Sequence, residues 1–171
     1  MKNRTNLLAL ALAALSLTGC VGYRLGSMLP PEIKSVYIPL FVNHTGEPLI
    51  EDEATRAAIR EFQKDGSLQV AGSAETADAL LKVTLVDYQL APLAYDAARA
   101  TAANEYRLTL TASAVMTKTA GGEVVAESPK VQGESTFVIS GDFTSSKQSG
   151  LPVACQDLAH DLVERLVEAW K

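Results

Sequence analysis

Two histidines, two cysteines and one tryptophan are all that 171 residues provide, and that scarcity excludes most site chemistry. Neither His44 nor His160 has a cysteine, histidine or carboxylate at metal-ligand spacing, so no metal site is expected. His44 falls in a turn beside Asn43, and His160 falls off the apolar stripe of a helix, where a solvated imidazole is the ordinary reading. No Gly-x-Ser-x-Gly elbow, phosphate loop or dinucleotide glycine pattern occurs. Glu51, Asp52 and Glu53 are adjacent carboxylates, but a helix N-terminus accounts for them without catalysis. The chain is therefore not read as an enzyme, and no catalytic residue, metal or cofactor is assigned. Basic side chains are also in deficit, 15 against 20 acidic, which argues against nucleic acid as a partner. After residue 17 no apolar run reaches the ~20 residues that a membrane-spanning helix needs.

What the sequence does have is concentrated near its start. Lys2 and Arg4 precede an apolar run, Leu7 to Leu17, interrupted only by Ser16. That run has the length of a signal-peptide core and is too short for a permanent span. It ends on Leu17-Thr18-Gly19-Cys20, the pattern of a bacterial lipobox. A branched apolar residue and two small ones let a peptidase approach the backbone, and the thiol of Cys20 takes the lipid. Each buried methylene adds ~0.8 kcal/mol, so several acyl chains on Cys20 would anchor the protein to a membrane. Val21 follows the cysteine, not the aspartate that retains such proteins in the inner membrane, so the outer membrane, on its periplasmic side, is the expected location.

Residues 1–19 are thus read as a lipoprotein signal peptide, 20–32 as the lipidated cysteine and a short connector, and 33–171 as one domain. Cleavage before Cys20 leaves 152 residues with 13 basic and 20 acidic side chains, enough for a single core. Cys155 becomes the one free thiol, so no internal disulfide is possible and burial is expected. The connector Gly22–Glu32 spans at most ~35–40 Å when stretched, which keeps the domain close to its anchor.

Within the domain, Ile33–Phe41 reads as a strand with Pro39 marking an edge or bulge. Asn43–Pro48 reads as a turn, and Leu49–Lys64 as a helix with Thr55, Ala58, Ile59 and Phe62 buried and Gly66 as its stop. Leu68–Ala71 and Ala79–Leu90 are strands, the second with Leu81, Val83 and Leu85 on one side and Leu80, Lys82, Thr84, Val86 and Tyr88 on the other. Ala91–Ala103 reads as an excursion. Asn104–Thr117 alternates most clearly: Tyr106, Leu108, Leu110, Ala112, Ala114 and Met116 face one way, Arg107, Thr109, Thr111 and Ser113 the other. Ala120-Gly121-Gly122 makes a hairpin into a strand ending near Ile139, broken by Pro129 and Gly133. Ser140–Gly150 reads as a mobile polar loop. A last helix starts near Leu151-Pro152, with Leu151, Cys155, Leu158, Leu162, Leu166 and Ala169 as its stripe and Trp170 clipping its end. Two helices with one apolar stripe each, and strands with one apolar face, give an α+β two-layer sandwich: two helices on a mostly antiparallel sheet of four to five strands.

The side of that sheet away from the helices would carry Arg107, Thr109, Thr111 and Ser113, with Lys82, Thr84 and Tyr88 nearby. Such a face is ordinarily the solvated side of an antiparallel sheet. The functional alternative is a polar surface shaped for a protein or a glycolipid.

One family shares these features. Cys20-Val21-Gly22-Tyr23-Arg24-Leu25, Leu29-Pro30-Pro31-Glu32-Ile33-Lys34-Ser35-Val36, Ile38-Pro39 with Asn43 and Thr45, and Glu51 to Phe62 resemble the LptE family of lipopolysaccharide-assembly lipoproteins. Asp87-Tyr88 with Pro92 and Tyr95, Glu105-Tyr106-Arg107 and the C-terminal helix extend the similarity over nearly the whole mature chain. The resemblance implies an αβ sandwich, residence inside the outer-membrane β-barrel LptD as plug and assembly partner, and binding of lipopolysaccharide. Lys82, Arg107, Thr109, Thr111 and Ser113 are then the candidate contacts with lipopolysaccharide or barrel. A second reading is a lipoprotein activator of a peptidoglycan synthase, resembling LpoB or the N-terminal domain of TolB, which share a strand, an Asn-x-Thr turn and a following helix. An activator of that kind needs a long tether, and the connector here is eleven residues.

Overall fold

The computed structural model of this chain describes residues 29–96 and 99–168, with side chains described outside 94–102 and up to Val167. Cys20, the connector as far as Met28, and Trp170 lie outside the described residues. In chain order the elements are β1 (Ser35–Tyr37), β2 (Val42–Asn43), α1 (Ile50–Asp65), β3 (Gln69–Val70), β4 (Ala79–Asp96), β5 (Arg99–Lys118), β6 (Val124–Val138) and α2 (Phe143–Val163). A π-helical stretch, Glu164–Glu168, continues α2. One sheet runs β3-β1-β4-β5-β6, with β2 also on β4. The three long strands are antiparallel, whereas β1, β2 and β3 join by parallel pairing. The α+β sandwich is as expected, in six strand segments where four to five were expected.

The extra segment comes from Pro39. A proline has no N–H to give the ladder, so the strand expected over Ile33–Phe41 keeps only Ser35–Tyr37 as β1, and pairing resumes past its expected end, at β2, which takes in Asn43 from the expected turn. Past the break, the Phe41 N–H donates not to a strand but to Thr55 Oγ1 on α1, at 3.0 Å. Further up, Asp78 Oδ2 accepts from the Lys34 and Ser35 amides and the Ser35 hydroxyl at 3.0, 3.0 and 2.8 Å, fixing the start of β1. Those donors, Ser35 Oγ first, hold the Asp78 carboxyl below its usual range.

α1 begins and ends as its sequence indicates. Asn43 builds the turn before it: its Oδ1 accepts from the Thr45 amide at 2.9 Å, and its Nδ2 donates to the Glu47 carbonyl and the Glu51 carboxylate at 2.8 Å each. Gly66 stops the helix at φ 75°, its N–H returning to Phe62 O. The buried side is rotated from the expected stripe toward Ile50, Ala54 and Ala57, and Ile59 is only half-buried.

Three other expectations are corrected. Ala91–Ala103 is not an excursion, because β4 and β5 stay paired to Asp96 opposite Arg99 through successive register shifts. Alanine-rich sequence hides a strand because the ladder needs only backbone groups. Tyr88 is not on the outer side: a bulge between Leu85 and Asp87 reverses the alternation, so Tyr88 pairs with Leu110 and packs against the core. Ser140–Gly150 is helical from Phe143, and Pro152 lies inside α2. Asp142 caps it by accepting the Ser145 amide at 2.9 Å. The polar residues of that turn are used in packing: Ser135 Oγ donates to Gly150 O at 2.8 Å, and Lys147 Nζ reaches Glu47 Oε1 at 2.7 Å. Phe143 meets Tyr106 edge-on at 5.4 Å and Phe137 at 6.2 Å. Tertiary contacts thus outweigh the low helix propensity of serine and glycine.

The core lies between the sheet and the two helices. Leu81, Leu108, Leu110 and Met116 are fully buried there, each contributing on the order of 1.5–3 kcal/mol.

Candidate functional site

Both helices cover the same side of the sheet. α2 lies along β6 because residue 133 is glycine: a Cβ there would run into Ala154 O and the Leu158 amide. Two carboxylates one helical turn apart then close the β6 edge, Asp161 accepting the Gln132 N–H at 2.9 Å and Asp157 the Glu134 N–H at 2.8 Å. Among the described residues, no helix lies on the opposite side of β4, β5 and β6. That uncovered face holds all five of the described residues singled out from the sequence.

The β4–β5–β6 register orders them. Arg107 sits at one end, opposite Ala91 and Thr136; Thr109 is opposite Gln89 and Glu134; Thr111 is opposite Asp87 and Gln132. These groups largely satisfy one another. Arg107 Nε lies 3.7 Å from Glu134 Oε2, Thr109 Oγ1 donates to Glu134 Oε1 at 3.4 Å, and Gln132 Nε2 donates to Thr111 Oγ1 at 3.3 Å. Ser113 follows, opposite Thr84, and Lys82 lies beyond, opposite Val115. Nine residues of β4 separate Lys82 from the partner of Arg107, roughly 30 Å of strand, so the two cations do not form one patch.

Several participants were not singled out from the sequence. Gln132, Glu134 and Thr136 supply the β6 side of the face; their polar alternation between Val131 and Phe137 was the available signal. Lys130, exposed in a bulge opposite Ser113, was hidden by the irregular register between Ser128 and Val131. The face is also more apolar than expected. Val42, beside Thr84, is 50 % exposed, and Val86 and Val115 are 45 % and 37 % exposed.

The remaining candidates behave as side chains of a folded scaffold. Cys155 is buried on α2, where desolvation pushes its thiol up to about 12. Glu53 pairs with Arg56 and Arg60 at 2.9 and 3.2 Å, and the Arg56 hydrogen bond holds its carboxyl below the usual range. His160 is exposed and touches Glu61 at 3.3 Å, and His44 is exposed. Among the described residues no three His, Cys, Asp or Glu side chains cluster as a metal site, and no helix is long and apolar enough to cross a membrane.

Comparison with solved structures places this sandwich among known folds. A PelC dodecamer from Paraburkholderia phytofirmans is 16% identical with a TM-score of 0.51, over 78% of this chain and 89% of that one. A hypothetical protein from Chlamydia trachomatis is 10% identical with a TM-score of 0.51, over 78% and 95%. A minor lipoprotein from Acinetobacter baumannii is 11% identical with a TM-score of 0.50, over 77% and 91%. At such identities the likeness is one of fold. No curated protein sequence matches the chain. The model of the LptE family, described as lipopolysaccharide-assembly, matches residues 33–169, the whole sandwich, and the chain belongs to that family.

Proposed function

We propose that this chain is an outer-membrane lipoprotein of the lipopolysaccharide translocon, which plugs and assists assembly of the LptD β-barrel and binds lipopolysaccharide for insertion into the outer leaflet. The observation that carries this reading is the sheet face left bare by both helices, in a chain that belongs to a lipopolysaccharide-assembly family. A face of hydroxyls and aliphatic side chains with few unpaired charges is suited to burial against a partner. Leu29 is already packed into the core, so at most eight residues, Val21–Met28, separate the anchor from the fold. They reach at most about 30 Å. That length suits a barrel in the same membrane and is short for an activator that must reach a synthase across the periplasm.

Thr109→Arg/Thr111→Arg tests the barrel contact. The new guanidinium groups stand beside Glu134 and Asp87, so the isolated domain keeps its thermal midpoint. Burying charge without a fitted partner costs several kcal/mol, whereas exposed pairs cost little. The double variant is therefore expected to lose co-purification with the barrel and to raise sensitivity to bulky hydrophobic antibiotics. A folded double variant that recovers the barrel at wild-type yield would falsify the contact. For the anchor, Cys20→Ala is expected to yield a precursor absent from the outer-membrane fraction; radiolabelled palmitate on that variant would remove Cys20 as the lipid site.

A further inference from the structure

The uncovered face divides into two halves of different character. Around Arg107 the charged and amide groups are paired, Arg107 with Glu134 and Gln132 with Thr111, and Gln89 donates to Asp87 at 2.6 Å. In the other half, Lys82 and Lys130 have no acidic partner among the described residues, and the Thr84 and Ser113 hydroxyls make no side-chain hydrogen bond there. Thr84 and Ser113 are cross-strand neighbours. Lys82 lies one row below Thr84 on β4, and Lys130 lies across Ser113 on β6. Two strand spacings and one row put the two lysine backbones roughly 12 Å apart. Both neighbours of the Pro129–Lys130 pair, Ser128 and Val131, are buried on the helix side, which sends exposed Lys130 outward. Val42, Val86 and Val115 surround the hydroxyls. Glu127, opposite Val115, is the one acid in this half among the described residues, so the half they form is net positive on a chain whose formal charge is −5.

We infer that this half of the face is the seat of a phosphorylated acyl glycolipid. Unpaired ammonium groups and free hydroxyls are donors without acceptors, which a phosphate supplies through charge-assisted hydrogen bonds. Exposed valines beside them favour an attached acyl chain over a free anion, because apolar contact adds affinity that two solvated lysines do not give alone. The half around Arg107 has a free hydroxyl in exposed Thr136 but no unpaired ammonium group, and its cation already has Glu134 at 3.7 Å. The inference rests on the lipopolysaccharide-binding reading above and assigns it to named residues.

The test uses the full-length lipoprotein in detergent and rough lipopolysaccharide as the probe. Lys82→Ala/Lys130→Ala is expected to weaken binding at least tenfold, while Lys64→Ala on α1 stays within twofold. Lipopolysaccharide stripped of its lipid A phosphates should bind wild type as weakly as intact lipopolysaccharide binds the double variant. Wild-type affinity in the double variant, or a tenfold loss in Arg107→Ala without one in the double variant, overturns this seat but leaves lipopolysaccharide binding in place. Equal binding of the dephosphorylated probe overturns the headgroup contact. No binding by wild type overturns the functional reading itself, and the seat with it.

Discussion

Gly133→Ala is expected to destabilise the fold strongly, because among the described glycines it is where an added Cβ meets the tightest obstruction. An added Cβ meets Ala154 O and Leu158 N, with Leu158 Cα at 2.7 Å. All three are helix backbone, which cannot swing aside as a side chain does. α2 must therefore move off β6, and the movement stretches the Asp157 and Asp161 hydrogen bonds to the Glu134 and Gln132 amides. Overpacking a core costs about 1–3 kcal/mol and sometimes more, and an obstruction made of backbone belongs at the upper end. At about 2–4 °C per kcal/mol for a domain of this size, the melting midpoint should fall by roughly 6–12 °C. Gly72→Ala is the control, since a Cβ there has nothing within 4 Å; it should stay within about 0.5 kcal/mol. Equal melting midpoints for the two variants would mean that α2 does not sit on β6 at that distance.

Leu162→Ala is the second large effect. Leu162 is 1 % exposed, in the middle of the α2 stripe between Leu158 and Leu166. Truncation removes buried methyl groups and leaves a cavity, together worth ~2–5 kcal/mol. Glu164, two residues on, is exposed, and Glu164→Ala should change stability by no more than about 0.5 kcal/mol. Denaturant midpoints read the difference. A Glu164→Ala loss as large as that of Leu162→Ala would place the helix face elsewhere.

The sheet face argues the same way about function. A polar ladder such as Arg107–Thr109–Thr111 is compatible with plain solvent exposure. What distinguishes its two ends is whether the charges already have partners. Arg107 looked as available as Lys82 in sequence, because its partner Glu134 lies 27 residues away on another strand. Only pairing across β5 and β6 brings them together.

Strict alternation from Tyr106 to Met116 was enough to assign the buried and outer sides of β5, because a strand has a period of two and its apolar set must face the core. The α2 stripe from Cys155 to Leu166 was equally legible from its helical spacing, as were the Asn43 turn and the Gly66 stop, whose conformations depend on local chemistry. Those local rules, with a two-layer sandwich as their consequence, are what the sequence determined by itself. Tertiary structure decided the rest. The bulge at Val86 sends Tyr88 inward to Leu110, a one-residue slip that no periodicity announces. Lys147 and Gly150 become helix because partners distant in sequence, Glu47 and Ser135, take up their polar groups. Lys82 and Lys130 come to flank one pair of hydroxyls because register, which depends on the whole sheet, sets which residues stand opposite one another.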